Sequence, residues 1–127
     1  MIRFQELKPI VLPSNFFEKD VEAKVALLIL VPSTKIIQII LLKRPIVWKV
    51  AIQMAELSPD FLQELDRVFR RCKLQTCYST GVVLLPEFCA YDSYFTFTES
   101  SISAEQVTQE LSAIKGVSNV EMTKVST

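Results

Sequence analysis

The order of patterns between Ile46 and Thr127 constrains this chain more than any other feature. Ile46, Trp48, Val50, Ile52 and Met54 alternate with Val47, Lys49, Ala51, Gln53 and Ala55, a period-two pattern with one clearly apolar face. Ser58 and Pro59 then open a helix, with serine as N-cap, proline at the first helical position and Asp60 favourable to the dipole. Phe61, Leu62, Leu65, Val68, Phe69 and Cys72 fall at helical spacing on one stripe, while Gln63, Glu64, Asp66, Arg67, Arg70 and Arg71 fall on the other side. Residues 74–85 read as a long second strand, 86–90 as a turn and 91–98 as a third strand. In that strand Tyr91, Phe95 and Phe97 share one face, and Tyr94, Thr96 and Thr98 the other. Ser103 with Gln106 has capping-box spacing, and Val107, Leu111 and Ile114 give the second helix its buried edge. Gly116 follows Lys115 where a C′ glycine ends a helix, and residues 117–125 read as the last strand.

Strand, helix, strand, strand, helix, strand is the order of a ferredoxin-like βαββαβ sandwich, an α+β fold. Ahead of it the signals are weaker. Residues 1–7 alternate weakly, Pro9 and Pro13 mark a loop, and Asn15 with Glu18 predicts a short helix near residues 16–24. Residues 25–31 and 35–42 are apolar runs separated by Pro32, Ser33 and Thr34. The second is packed with isoleucine, and β-branched side chains favour a pleated sheet, so a hairpin is expected. Runs apolar on both faces predict burial on both faces, under either the core helices or another subunit. The expected organisation is an N-terminal β extension, residues 1–45, packed on a domain spanning residues 46–127.

Composition excludes several function classes. Half of the 127 residues are apolar and the mean hydropathy is +0.30, high for so short a chain. One small core cannot absorb that much apolar surface, which predicts a subunit interface and a homo-oligomer. Lys and Arg total 14, as do Asp and Glu, so the basic excess typical of nucleic-acid binders is missing and no nucleic-acid partner is expected. The chain has no histidine, which removes Ser-His-Asp and Cys-His catalysis within one chain. Its three cysteines, Cys72, Cys77 and Cys89, form no CxxC, so neither a disulfide framework nor a zinc site is indicated. Reduced thiols and a cytoplasmic location are expected. Arg3, Glu6 and Lys8 interrupt any signal-peptide core. A spanning helix needs about 20 uninterrupted apolar residues, and residues 32–35 break the greasiest stretch, so no membrane partner is expected.

Three constellations bear on function. Tyr78, Tyr91, Tyr94, Phe95 and Phe97 could stack bases, as sheet aromatics of RNA-recognition domains do. Residues 90–97 lack the glycine and the basic start of that signature, so packing is the expected role. Glu56, Asp60 and Glu64 cluster at a helix start, where carboxylates usually serve the dipole and the solvated surface. Gly81 sits inside a strand pattern, which points to a bulge or to the close approach of a ligand or partner backbone.

Leu57 to Leu62, following an alternating strand, resembles the first strand–helix junction of ACT domains. Lys115 to Glu121, with Gly116, Val117 and Val120, resembles their closing Gly-Val-x-x-Val element, also found in the effector domain of leucine-responsive regulators. The resemblance covers residues 46–125. It implies a non-catalytic regulatory or ligand-sensing module acting as a homo-oligomer, with a small-molecule effector at a subunit boundary and no cofactor. By this resemblance the ligand-binding candidates are Ser58, Asp60 and Phe61, with Gly81 added on its own account; no catalytic or metal-binding residue is assigned. The pattern departs at Asp60, where ACT domains that bind amino acids usually have glycine. A carboxylate there crowds the site and disfavours an anionic ligand. The alternative is a structural or partner-binding protein with no small ligand. An enzyme using carboxylates or lysine is the third reading.

Overall fold

Pro32 to Thr34 divide two apolar runs, and the chain reverses there. Thr34 turns both its N–H and its hydroxyl to the Val31 carbonyl, at 3.2 and 3.3 Å. Lys35 takes a left-handed φ of 59° to complete the turn. This is seen in a computed structural model, which describes residues 25–125. The expected helix near residues 16–24, the weak strand at 1–7 and the loop at Pro9 and Pro13 lie outside the described residues. The chain divides into two units, Met1–Lys43 and Arg44–Thr127.

In the first unit β1 (Val25–Val31) pairs antiparallel with β2 (Ile36–Leu42), Leu27 facing Ile40 and Leu30 facing Ile37. The hairpin is as expected, and within the single chain its two faces differ. Leu27 and Ile29 are buried, whereas Leu28, Leu30 and Ile37 on the other face are 56%, 64% and 56% exposed. Alternate side chains of a strand leave on opposite sides, and only one side of this hairpin is covered.

The second unit runs β3 (Trp48–Met54), α1 (Phe61–Arg71), β4 (Leu74–Leu84), β5 (Cys89–Phe97), α2 (Ala104–Ser112) and β6 (Val117–Lys124). Its strands form one sheet in the order β4-β5-β3-β6, antiparallel throughout. The described chain is therefore α+β, with two helices and six strands in two antiparallel sheets. Both helices pack on one face of the larger sheet. Val50, Ile52 and Met54 of β3 and Tyr91 and Phe95 of β5 meet Phe61, Leu65 and Phe69 of α1 and Val107 and Leu111 of α2. Rings interlock across this core, Phe61 with Tyr91 at 6.1 Å and Phe69 with Phe95 at 5.8 Å. No helix among the described residues is long and apolar enough to cross a membrane.

Several expected boundaries shift for local reasons. β3 begins at Trp48, where pairing to Phe95 and Lys124 starts. Ahead of the ladder the alternation fails, and Val47 is buried while Ile46 is exposed. Leu62 lies at the edge of the α1 stripe and stays in solvent. Cys89 and Ala90, expected in a turn, pair with Leu84 and Val83 and so extend β5. The turn tightens instead around Leu85 and Phe88, whose N–H and carbonyl meet at 2.9 Å. α2 ends at Ser112, with Ala113 as C-cap. Gly116 thus belongs to the following turn, closed by the Val117 N–H on the Ile114 carbonyl at 3.1 Å, rather than to the helix cap. Its φ is +90°, and a Cβ there would stand 3.3 Å from the Glu56 carbonyl oxygen.

Candidate functional site

The β3–α1 junction is built by Ser58. Its Oγ accepts from the Asp60 N–H at 3.4 Å, and its carbonyl accepts from the Phe61 N–H at 3.1 Å. This single turn delays the helix by two residues against the expected start. Asp60 becomes the N-cap, with φ −94° and ψ 0°, and its carbonyl accepts from the Glu64 N–H at 3.0 Å. The Asp60 carboxylate makes no cap hydrogen bond. Phe61 is 1% exposed and rests against Tyr91, so it anchors α1 in the core and offers little surface to a ligand.

Gly81 lies elsewhere, in β4 at the edge of the sheet, opposite Asp92 in β5. The register slips between Ser79 and Gly81, leaving Thr80 as the extra residue of a bulge. The Thr80 hydroxyl donates to the Gly81 carbonyl at 2.9 Å and accepts from the Asp92 N–H at 3.2 Å. Gly81 has φ +71°, and a Cβ built on it would meet nothing within 4 Å. Backbone conformation, not crowding, explains glycine here. The structure therefore joins Ser58 to Asp60 by a hydrogen bond, buries Phe61 against Tyr91, and sets Gly81 in β4 next to Val82, which pairs with Tyr91.

Other candidates resolve into packing and surface pairs. Glu64 pairs with Arg67, and Asp66 with Arg70 at 2.8 Å, along the exposed side of α1. Tyr91 and Phe95 belong to the core, while Tyr78 and Tyr94 meet at 6.2 Å. Lys49 stands 5.8 Å from the Tyr94 ring centre and 4.0 Å from the Asp92 carboxylate. No group of three acidic, cysteine or histidine side chains among the described residues could hold a metal. The three cysteines are free. Burial first, then the Glu110 carboxylate, pushes the Cys72 thiol up to about 11, away from nucleophilic use at neutral pH.

A formed cleft of about 510 Å³ lies at the other end of the sheet, 3.1–3.2 Å hydrogen bonds fixing one of its walls. It opens among the start of β3, the ends of β5 and β6, and the first turn of α2. Arg44, Trp48, Phe97, Ile102, Ser103 and Lys124 line it. Arg44 Nη1 donates to the carbonyls of Phe97 and Thr98, which locks the guanidinium over the end of β5. Trp48 and Phe97 pack edge to face, with ring centres 6.2 Å apart. Ser103 Oγ accepts from the Gln106 N–H at 3.2 Å and caps α2 as its sequence predicts. Reading residues in order could not find this site. Arg44 falls before the expected domain start, and Lys124 is 80 positions away in the last strand. The one local signal was the chain's only tryptophan, on the alternating run that opens at Ile46.

Comparison with models of known protein families gives no match, and comparison with curated proteins gives none.

Proposed function

We propose that residues 44–125 form a ferredoxin-like, ACT-type module that binds a small molecule without transforming it, and that the chain acts as a homo-oligomer. Four antiparallel strands in the spatial order second, third, first, fourth, with two helices on one face, support the fold assignment. The observation that carries the function is the cleft beside Arg44, Trp48 and Lys124. Small-molecule sites are concave, largely apolar, usually formed in advance, and supplied with a few fixed polar groups. This cleft has each of those properties. It is a better ligand seat than the β3–α1 junction, where Phe61 is consumed by the core and Asp60 repels anions. A ligand that prefers one quaternary state would shift the population toward it by its differential affinity, which is how such a module regulates.

Thermal denaturation of the full chain against a panel of metabolites tests the reading, because a ligand of the native state raises apparent stability by mass action. Trp48, the only tryptophan, reports the cleft by fluorescence. A compound that both raises the midpoint and changes Trp48 emission is the expected result. A panel with no stabilising compound, or stabilisation with Trp48 silent, counts against the cleft. The second reading, a partner-binding protein without a small ligand, is favoured by the exposed apolar face of the hairpin around Leu28, Leu30 and Ile37.

A further inference from the structure

We infer that the cleft takes a small organic monocarboxylate with a flat apolar body, the carboxylate at Arg44 and Lys124 and the body against Trp48 and Phe97. This rests on the cleft being a ligand site. The charges on its lining decide the class of ligand. Arg44 and Lys124 contribute two positive charges, and Glu99 contributes one negative. The excess is a single positive charge, which suits one carboxylate. A nucleotide or phosphate ester, at about −1.5 or more near neutral pH, would leave charge uncompensated beside Glu99.

The geometry supports the same class. Both hydrogens of Arg44 Nη1 are spent on the Phe97 and Thr98 carbonyls. The opposite edge of the guanidinium, Nη2 and Nε, carries three more donors in a rigid fork that matches a carboxylate. Anchoring by two carbonyls removes side-chain freedom before binding, so less is lost when the ligand arrives. The first N–H groups of α2, which no helical carbonyl can accept, add partial positive charge at Ala104 on the same wall. Around these donors the lining is apolar, with Pro45, Ile46, Trp48, Phe97 and Ile102. Trp48 and Phe97, packed edge to face at 86°, put aromatic surface on the same lining, and aromatic surface suits a flat apolar body.

The experiment titrates the full chain with 3-phenylpropionate, 3-phenylpropionamide and inorganic phosphate, following Trp48 fluorescence and calorimetry. The acid should bind and change Trp48 emission. The amide, of the same shape without the charge, should bind at least tenfold more weakly, since a charge-assisted hydrogen bond is worth about 1.5–3 kcal/mol and each 1.4 kcal/mol is a factor of ten. Phosphate should neither bind nor compete. Lys124→Gln should lower affinity for the acid about tenfold and leave the amide unchanged. Arg44→Gln should do the same or more. If loss of its carbonyl contacts unfolds that variant, as circular dichroism would show, Arg44→Lys and Lys124→Gln carry the test. Equal binding of acid and amide with a Trp48 response would leave the cleft a ligand site but overturn the carboxylate. Binding of phosphate would overturn the apolar body. Silence of both aryl compounds at millimolar concentration overturns the proposal, and the metabolite panel then decides whether the cleft binds anything.

Discussion

Cys72 sits at the C-cap of α1, 1% exposed, with its thiol donating to the Glu110 carboxylate at 3.6 Å. Arg71 holds the same carboxylate at 2.8 Å, so the thiol is enclosed by an ion pair between the two helices. In the folded chain Cys72 should resist iodoacetamide at pH 8 while the more accessible Cys77 reacts first, as peptide mass spectrometry can resolve. Modification of Cys72 at the rate of the unfolded chain would contradict this. A pH dependence follows. The thiol loses its proton at 9.0 ordinarily and at about 11 in the native state, so its contribution to stability is complete below pH 9.0 and is lost as pH rises through about 11. Compared with Cys72→Ala, the parent should lose stability more steeply across that window in urea titrations. The two glycines make a second residue-scale test. Both have left-handed φ, which costs a non-glycine about 1–2 kcal/mol. Gly81→Ala should cost about that much, since space is open around it. Gly116→Ala should cost more, because its Cβ also presses on the Glu56 carbonyl. Equal urea midpoints for the two variants would show that the Glu56 contact relaxes freely.

At the scale of elements the two helices begin differently. α2 has a working cap, Ser103 Oγ on the Gln106 N–H, and Ser103→Ala should lose about 1 kcal/mol. α1 starts at Asp60 without a side-chain cap, and the nearby Ser58 bond is long at 3.4 Å. Ser58→Ala should therefore cost less than Ser103→Ala, in the same urea assay; the reverse order would mean that Ser58 is the true cap. Both starts contained the same kind of residue in sequence. Pro59 marked where α1 could begin, but the turn closed by Phe61 on Ser58 set where it did. The second helix was legible to the residue at its N-cap, because Ser103 Oγ accepts from the Gln106 N–H only three residues on. Its end was not, because the helix closes at Ala113 and Gly116 serves the next turn, where the Val117 N–H meets the Ile114 carbonyl.

For the whole molecule, the exposed face of the hairpin is the feature that most needs a partner. Leu28, Leu30 and Ile37 form part of an uncharged apolar surface, of the kind that marks association sites. Light scattering of the full chain at micromolar concentration should show a dimer or larger. Ile37→Glu should shift it to monomer while changing the unfolding free energy by no more than about 0.5 kcal/mol, the usual range for an exposed position. A monomeric parent refutes the oligomer. Unfolding by Ile37→Glu would instead place that residue in a core. Ile40, which faces Leu27 across the hairpin, is less exposed, and Ile40→Glu should be the more damaging to folding.

Local chemistry in the chain was enough to determine the order of elements in residues 44–125, the alternation of β3, the buried edge of both helices and the cap of α2. Each of these depends on neighbours within one or two turns, so a single pass along the sequence contains the whole interaction. The same pass found the hairpin but not which of its faces is covered, because β-branched runs look alike on both sides. It also offered Ser58, Asp60 and Phe61 as one candidate and Gly81 as another; the core took up Phe61 and a bulge accounts for Gly81. Only the tertiary structure assembled the cleft. Arg44, Trp48, Phe97 and Lys124 meet because antiparallel pairing brings the start of β3 beside the ends of β5 and β6. Sites made from strand ends draw on residues far apart in sequence, and no local pattern of charge or apolarity records which ends the sheet will place together.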